Sequence, residues 1–138
     1  MPPPEYEIST EPARLDIALI HHFLSESYWA QGRSREVVER SIRNSLCFGA
    51  YVERRQVGFA RVVTDRAVFA YLADVFVLPE HRGRGLGKAL TQAALNHPDL
   101  RGLSVVLLRT RDAHSLYSQF GFQALPRPDE MMGKYEAP

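Results

Sequence analysis

The sequence predicts a single mixed α/β domain, on three observations. Segments of strand character and of helical periodicity alternate in the order β-α-α-β-β-β-α-β-α-β-β. A glycine-rich turn joins the most apolar strand to a helix, as in phosphate-binding α/β domains. The 138 residues are 45% hydrophobic, enough for one core without disulfides or a structural metal. The domain is taken to span residues 1–138.

Pro2, Pro3 and Pro4 give an extended lead-in, and residues 6–9 read as the first strand. Residues 16–24 read as a helix, with Ile17, Ile20 and Leu24 on one apolar face. Residues 28–33 read as a loop. Ser34 is placed to cap a second helix reaching Asn44, with Glu36 favourable in its first turn. Strands follow at 48–53, 57–64 and 69–77, the first two joined by a turn at 54–56. The third is continuously apolar, which predicts a central strand buried on both faces, and Pro79 ends it. Residues 86–95 have helical spacing and close at His97-Pro98. Residues 105–108 read as a buried strand and 114–120 as a short helix ended by Gly121. Further strands are expected from Phe122 onward and at 131–135.

Charge and cysteine content exclude several classes. Seventeen basic and 16 acidic residues leave a net charge of +1, no nucleic-acid footprint. No apolar run approaches the ~20 residues of a membrane span, and the N-terminus lacks the order of a secretory signal, so a cytoplasmic protein is expected. Cys47, the single cysteine, lies between Leu46 and Phe48 and reads as a buried thiol. His21 and His22 are adjacent, about 100° apart on a helix, with no carboxylate or cysteine spaced to share a metal.

The decisive segment is the loop Arg82-Gly83-Arg84-Gly85-Leu86-Gly87-Lys88. Glycines let the chain approach an anion closely, and the helix that follows aims free N–H groups at it. Arg82, Arg84 and Lys88 add positive charge, so a phosphate or pyrophosphate is the natural ligand. A dinucleotide fingerprint G-x-G-x-x-G from Gly83 and Gly85 fails at Lys88. A P-loop G-x-x-x-x-G-K-[ST] fails at Arg82 and at Ala89.

Residues 82–87 do match R/Q-x-x-G-x-G, and the segment resembles the pyrophosphate loop of the GNAT superfamily of N-acetyltransferases. Residues 112–122, with Tyr117 on a short helix before Gly121-Phe122, resemble the later motif of that family. The resemblance covers residues 48–125 well and the first 45 by element order alone. It is closer still to small bacterial members carrying residues 71–77 and 111–114 as they stand here. The resemblance implies a central, mostly antiparallel sheet flanked by helices. It also implies acetyl-coenzyme A as acyl donor and an amine acceptor that is a small molecule or a peptide; no metal is expected, because no residues are spaced as its ligands.

The resemblance further implies residue roles. Tyr117 is expected to donate to the departing thiolate, or else to pack beside Leu116 and Phe120. The backbone of Phe76 and Val77 is expected to face the pantetheine arm on a strand splayed from its neighbour. Residues 82–88 are expected to hold the pyrophosphate. Family members often carry an asparagine near Asp112, so Asp112 either makes that pantetheine contact or caps the helix; Ser115 is a second candidate. Asp74 is an acid in an apolar strand, and alternation groups it with Leu72 and Phe76. It is either a general base or acceptor ligand, or the charged half of a structural pair. Tyr28 and Trp29 are expected to wall the acceptor pocket, Trp29 by stacking an acceptor or plugging the core.

Two functions follow: an enzyme acetylating an amine, or a non-catalytic coenzyme A-binding module on the same fold. Retention of Tyr117 beside the intact loop favours the enzyme. Acceptor identity and acyl-chain length stay open, and a homodimer through residues 130–136 is an expectation.

Overall fold

The structure, a computed structural model, describes residues 2–136. Its strands are β1 Tyr6–Ser9, β2 Leu46–Val52, β3 Arg55–Thr64, β4 Phe69–Val77 and β5 Val105–Leu108. Its α-helices are α1 Ile17–Ser25, α2 Arg35–Arg43, α3 Leu86–Asn96 and α4 His114–Ser118. The strands pair in the order β1-β2-β3-β4-β5. The first three pairings are antiparallel, and only β4–β5 is parallel, because α3 supplies the crossover. The mixed, mostly antiparallel sheet matches the expected class.

Local chemistry explains the element ends. Asp16 and Ser34 cap α1 and α2, accepting from the N–H of Leu19 and Val37. Between β2 and β3, Glu53 and Arg54 sit at φ 49 and 66, the left-handed pair of a tight two-residue hairpin. The turn is therefore one or two residues earlier than expected, and β3 starts at Arg55.

Each sheet face is covered. On one face α3 packs Leu86, Leu90 and Ala94 against Phe48, Ala60, Val62 and Leu72. On the other, α1 and α2 pack Ile20, Leu24 and Val38 against Cys47, Phe59 and Phe76. No helix of the described residues is long and apolar enough to cross a membrane.

Strand β4 departs from simple alternation. Phe59 faces Phe76, and Arg61 faces Ala73. Three steps on β4 thus oppose two on β3, the mark of a β-bulge. Asp74, at φ 55, lies in it. The bulge turns the strand over, so Leu72 packs under α3 while Phe76 packs under α1 and α2. Asp74 goes with Phe76 and away from Leu72, which corrects the grouping that alternation suggests. The strand also alternates buried and half-buried positions rather than being buried on both faces.

The last part of the chain differs most. Strand β5 is an edge strand, half-buried at best, with Val105 41% exposed. Among the described residues no strand forms from Phe122 onward, nor at 131–135. Pro126 and Pro128 lack the N–H a ladder needs, and residues 123–136 lie exposed. Phe122 instead sets its ring edge against Tyr117, with centroids 5.9 Å apart.

Candidate active site

The parallel ladder between β4 and β5 stops at Leu72 opposite Leu108, whereas β4 runs on to Val77. The bulge at Asp74 follows at once, and β5 gives way to a loop. A cleft of about 680 Å³ opens at this parting. Residues 71–75 form its floor, residues 108–113 and Tyr117 one wall, and Tyr28, Trp29, Arg33 and Arg61 the other.

Phe76 and Val77 divide the roles expected of them. The Phe76 side chain is core, 4% exposed and stacked on Phe23 at 4.0 Å. The N–H of Leu78 donates to Val57 on β3, so alternation turns the peptide groups of Val77 to the edge that β5 leaves free. The Val77 carbonyl there accepts from Arg82 Nε at 2.9 Å. The cleft floor proper ends at Val75.

The glycine loop sits at the start of α3. Gly83 and Gly85 adopt φ 78 and 80, a region that disfavours any side chain. A Cβ at either would project into open space. Gly85 is the N-cap and carries no side-chain cap. The first N–H groups of α3 therefore face outward at the positive end of the helix dipole. A pyrophosphate fits this arrangement. Among the loop cations, Arg84 is turned away, donating to the Tyr6 hydroxyl at 3.0 Å, which also bonds His81 Nδ1 at 2.8 Å. Lys88 is exposed and makes no ion pair among the described residues. A Cβ on Gly87 would lie 3.7 Å from Leu116, so the loop abuts the helix that carries Tyr117.

Tyr117 is 8% exposed and lines the cleft. Burial, and then the neighbouring Tyr28 and Asp112, push its phenol up to about 12. It also borders a second cleft of about 430 Å³ on the outer side of β5. Asp112 lines the main cleft but does not cap α4, whose N-cap is Ala113. Thr110 Oγ1 organises that turn, accepting from the N–H of Asp112 and Ala113 at 3.4 and 3.0 Å. Ser115 is exposed and lines neither cleft.

Asp74 has the partners its burial demands. Its carboxylate, 2% exposed, accepts from Trp29 Nε1 at 2.9 Å, Arg33 Nη1 at 2.9 Å and Arg61 Nε at 2.8 Å. Both lone pairs of Oδ2 are taken by guanidinium groups. The carboxylate ties the loop after α1 to the sheet, and Trp29 is placed by this bond rather than by plugging the core. Tyr28 bridges to the opposite wall. Its hydroxyl accepts from the N–H of Arg111 at 3.2 Å, and the Arg111 guanidinium lies 3.8 Å over its ring.

Sequence reasoning did not find Arg33, Arg61, Arg109 or Arg111. Arg61 carried a signal, a cation inside the apolar run 57–64 that answers the acid inside 69–77. The other three stand in loops, where spacing says nothing of direction.

Known proteins share this sequence pattern and fold. Residues 43–124, from the end of α2 past α4, match the family described as Acetyltransferase (GNAT) domain. A Gibberella zeae protein bearing an acetyltransferase name is 33% identical, the alignment covering 94% of this chain and 85% of that one. A crystal structure of a GNAT-family protein from Xanthomonas campestris pv. campestris is 51% identical, with a TM-score of 0.94 over 96% of this chain and 94% of that one. The ribosomal-protein-S18-alanine N-acetyltransferase of Escherichia coli shares the fold at 23% identity and a TM-score of 0.69, over 86% of this chain and 77% of that one. With its glycine loop, its parted strands and these relatives, the chain belongs to the GNAT family of acetyltransferases.

Proposed function

We propose that the protein moves an acetyl group from acetyl-coenzyme A directly to a primary amine. One observation carries this reading: the open N-terminus of α3 abuts the helix bearing Tyr117, and Tyr117 lines the cleft where β4 and β5 part. The loop 82–88 would hold the pyrophosphate by the first N–H groups of α3, with Lys88, without an ion pair among the described residues, adding positive charge. The Val77 peptide group and the floor at 73–75 would align the pantetheine arm. The donor supplies the acetyl group as an activated thioester.

The residues then divide the chemistry. The acceptor amine must arrive neutral, and the surrounding arginines favour that form. As its nitrogen bonds the acetyl carbon, the carbon–sulfur bond breaks. Tyr117, kept protonated by burial, donates its proton to the leaving sulfur. The proton lost by the amine passes to water, and water returns one to the Tyr117 oxygen, which closes the cycle. Asp74 holds Arg33, Arg61 and Trp29 in place and is given no proton to move, because two guanidinium groups take Oδ2 and the Trp29 indole takes one site of Oδ1.

The test is release of free coenzyme A thiol from acetyl-coenzyme A in the presence of a panel of amines. Amine-dependent release with N-acetylated product supports the proposal. Tyr117→Phe should lower kcat about 100-fold and leave acetyl-coenzyme A affinity unchanged. Equal turnover by the variant removes Tyr117 from the reaction.

A further inference from the structure

The main cleft has a charge that the transfer reaction does not require. Four arginines and two aspartates line it: Arg33, Arg61, Arg109 and Arg111 against Asp74 and Asp112. Asp74 is shared by Arg33 and Arg61, and Arg61 also bonds Ser45. Arg109 and Arg111 are left without an ion pair among the described residues. Arg111 is held in place all the same, because its guanidinium carbon lies 3.8 Å from the centre of the Tyr28 ring. A guanidinium held over a ring face still offers its N–H donors, in a fork that matches a carboxylate or a phosphate.

Resting on the acetyl-transfer reading, we infer that the acceptor is a small amine bearing an oxyanion, which Arg111 and Arg109 bind. Such an acceptor brings its own countercharge into a cationic cleft. A polyamine or a lysine-rich tail brings like charge instead and is repelled. The Tyr28–Arg111 contact joins the two walls above the floor, which suits a small molecule over a long chain. The loop cations near α3 are separate residues, so the cleft arginines are not accounted for by the pyrophosphate.

Calorimetry on the coenzyme A-loaded protein tests this with matched amines. L-amino acids are set against their amides, O-phosphoethanolamine against ethanolamine, and spermidine stands for polycations. The expected result is one anionic member binding about tenfold or more tighter than its neutral partner. The pair that responds tells carboxylate from phosphate. Arg111→Gln and Arg109→Gln should reduce that preference and leave acetyl-coenzyme A affinity intact. Binding of spermidine or of neutral amines as tight as that of any anionic one overturns the inference. So does failure of every anionic amine to bind, or a loss of acetyl-coenzyme A affinity in the arginine variants. Failure of the acetyl-transfer reading shows separately, as absent acetyl-coenzyme A binding before any amine is added.

Discussion

Burial sets the chemistry of single residues here. The Tyr117 phenol, raised to about 12 by desolvation, is still an acid at about pH 10, where half of an aliphatic amine is neutral. Activity should therefore climb with pH through that range as the acceptor deprotonates, without an opposing limb from Tyr117. A fall in kcat between about pH 8 and 10 that Tyr117→Phe abolishes would contradict this. Cys47, 7% exposed, is likewise pushed up to about 12 by burial. A thiol reagent such as Ellman's should label it only on unfolding. Asp74→Asn keeps the shape and the tolerance of a left-handed φ but leaves Arg33 and Arg61 without their counter-ion. Both arginines are partly open to water, at 23% and 13%, so the cost should be about 2–4 kcal/mol, read as a fall in Tm of roughly 10 °C. The acid at 74 was visible in the sequence as an anomaly. Its partners were not, because Trp29, Arg33 and Arg61 reach it from 45, 41 and 13 residues away.

Among the elements, α3 and β4 do most to build the site. The glycine loop could be read from sequence because its chemistry is local: left-handed turns and a bare helix start need glycines at fixed positions. Gly85→Ala should cost about 1–2 kcal/mol for its φ of 80, seen as a lower melting temperature. Gly85→Asp should abolish acetyl-coenzyme A binding by setting a carboxylate where the proposed pyrophosphate would lie, and retained binding would remove the pyrophosphate from this loop. The limits of β4 were also legible, since Phe69 to Val77 is apolar apart from Asp74. Its bulge was not, because an extra residue shows only against the register of β3. That one residue sends Phe76 and Leu72 to opposite faces and turns Asp74 toward the arginines.

Across the whole molecule, the order of elements predicted the mixed sheet through α4 and failed after it. Residues 122–136 have apolar side chains at strand-like intervals, yet the two prolines and the lack of a paired neighbour leave them outside the sheet. The long-range result is a cleft where β4 and β5 part, with the loop after α1 on one wall and Tyr117 of α4 on the other, while the glycine loop lies against α4. On the proposed function, this cleft and loop receive acetyl-coenzyme A. Calorimetric titration of the purified protein with acetyl-coenzyme A, beside ATP and NAD, is the experiment to make first. Acetyl-coenzyme A should bind saturably at one site per chain, with neither nucleotide competing. Preferential binding of ATP or NAD, or none of acetyl-coenzyme A, would contradict it.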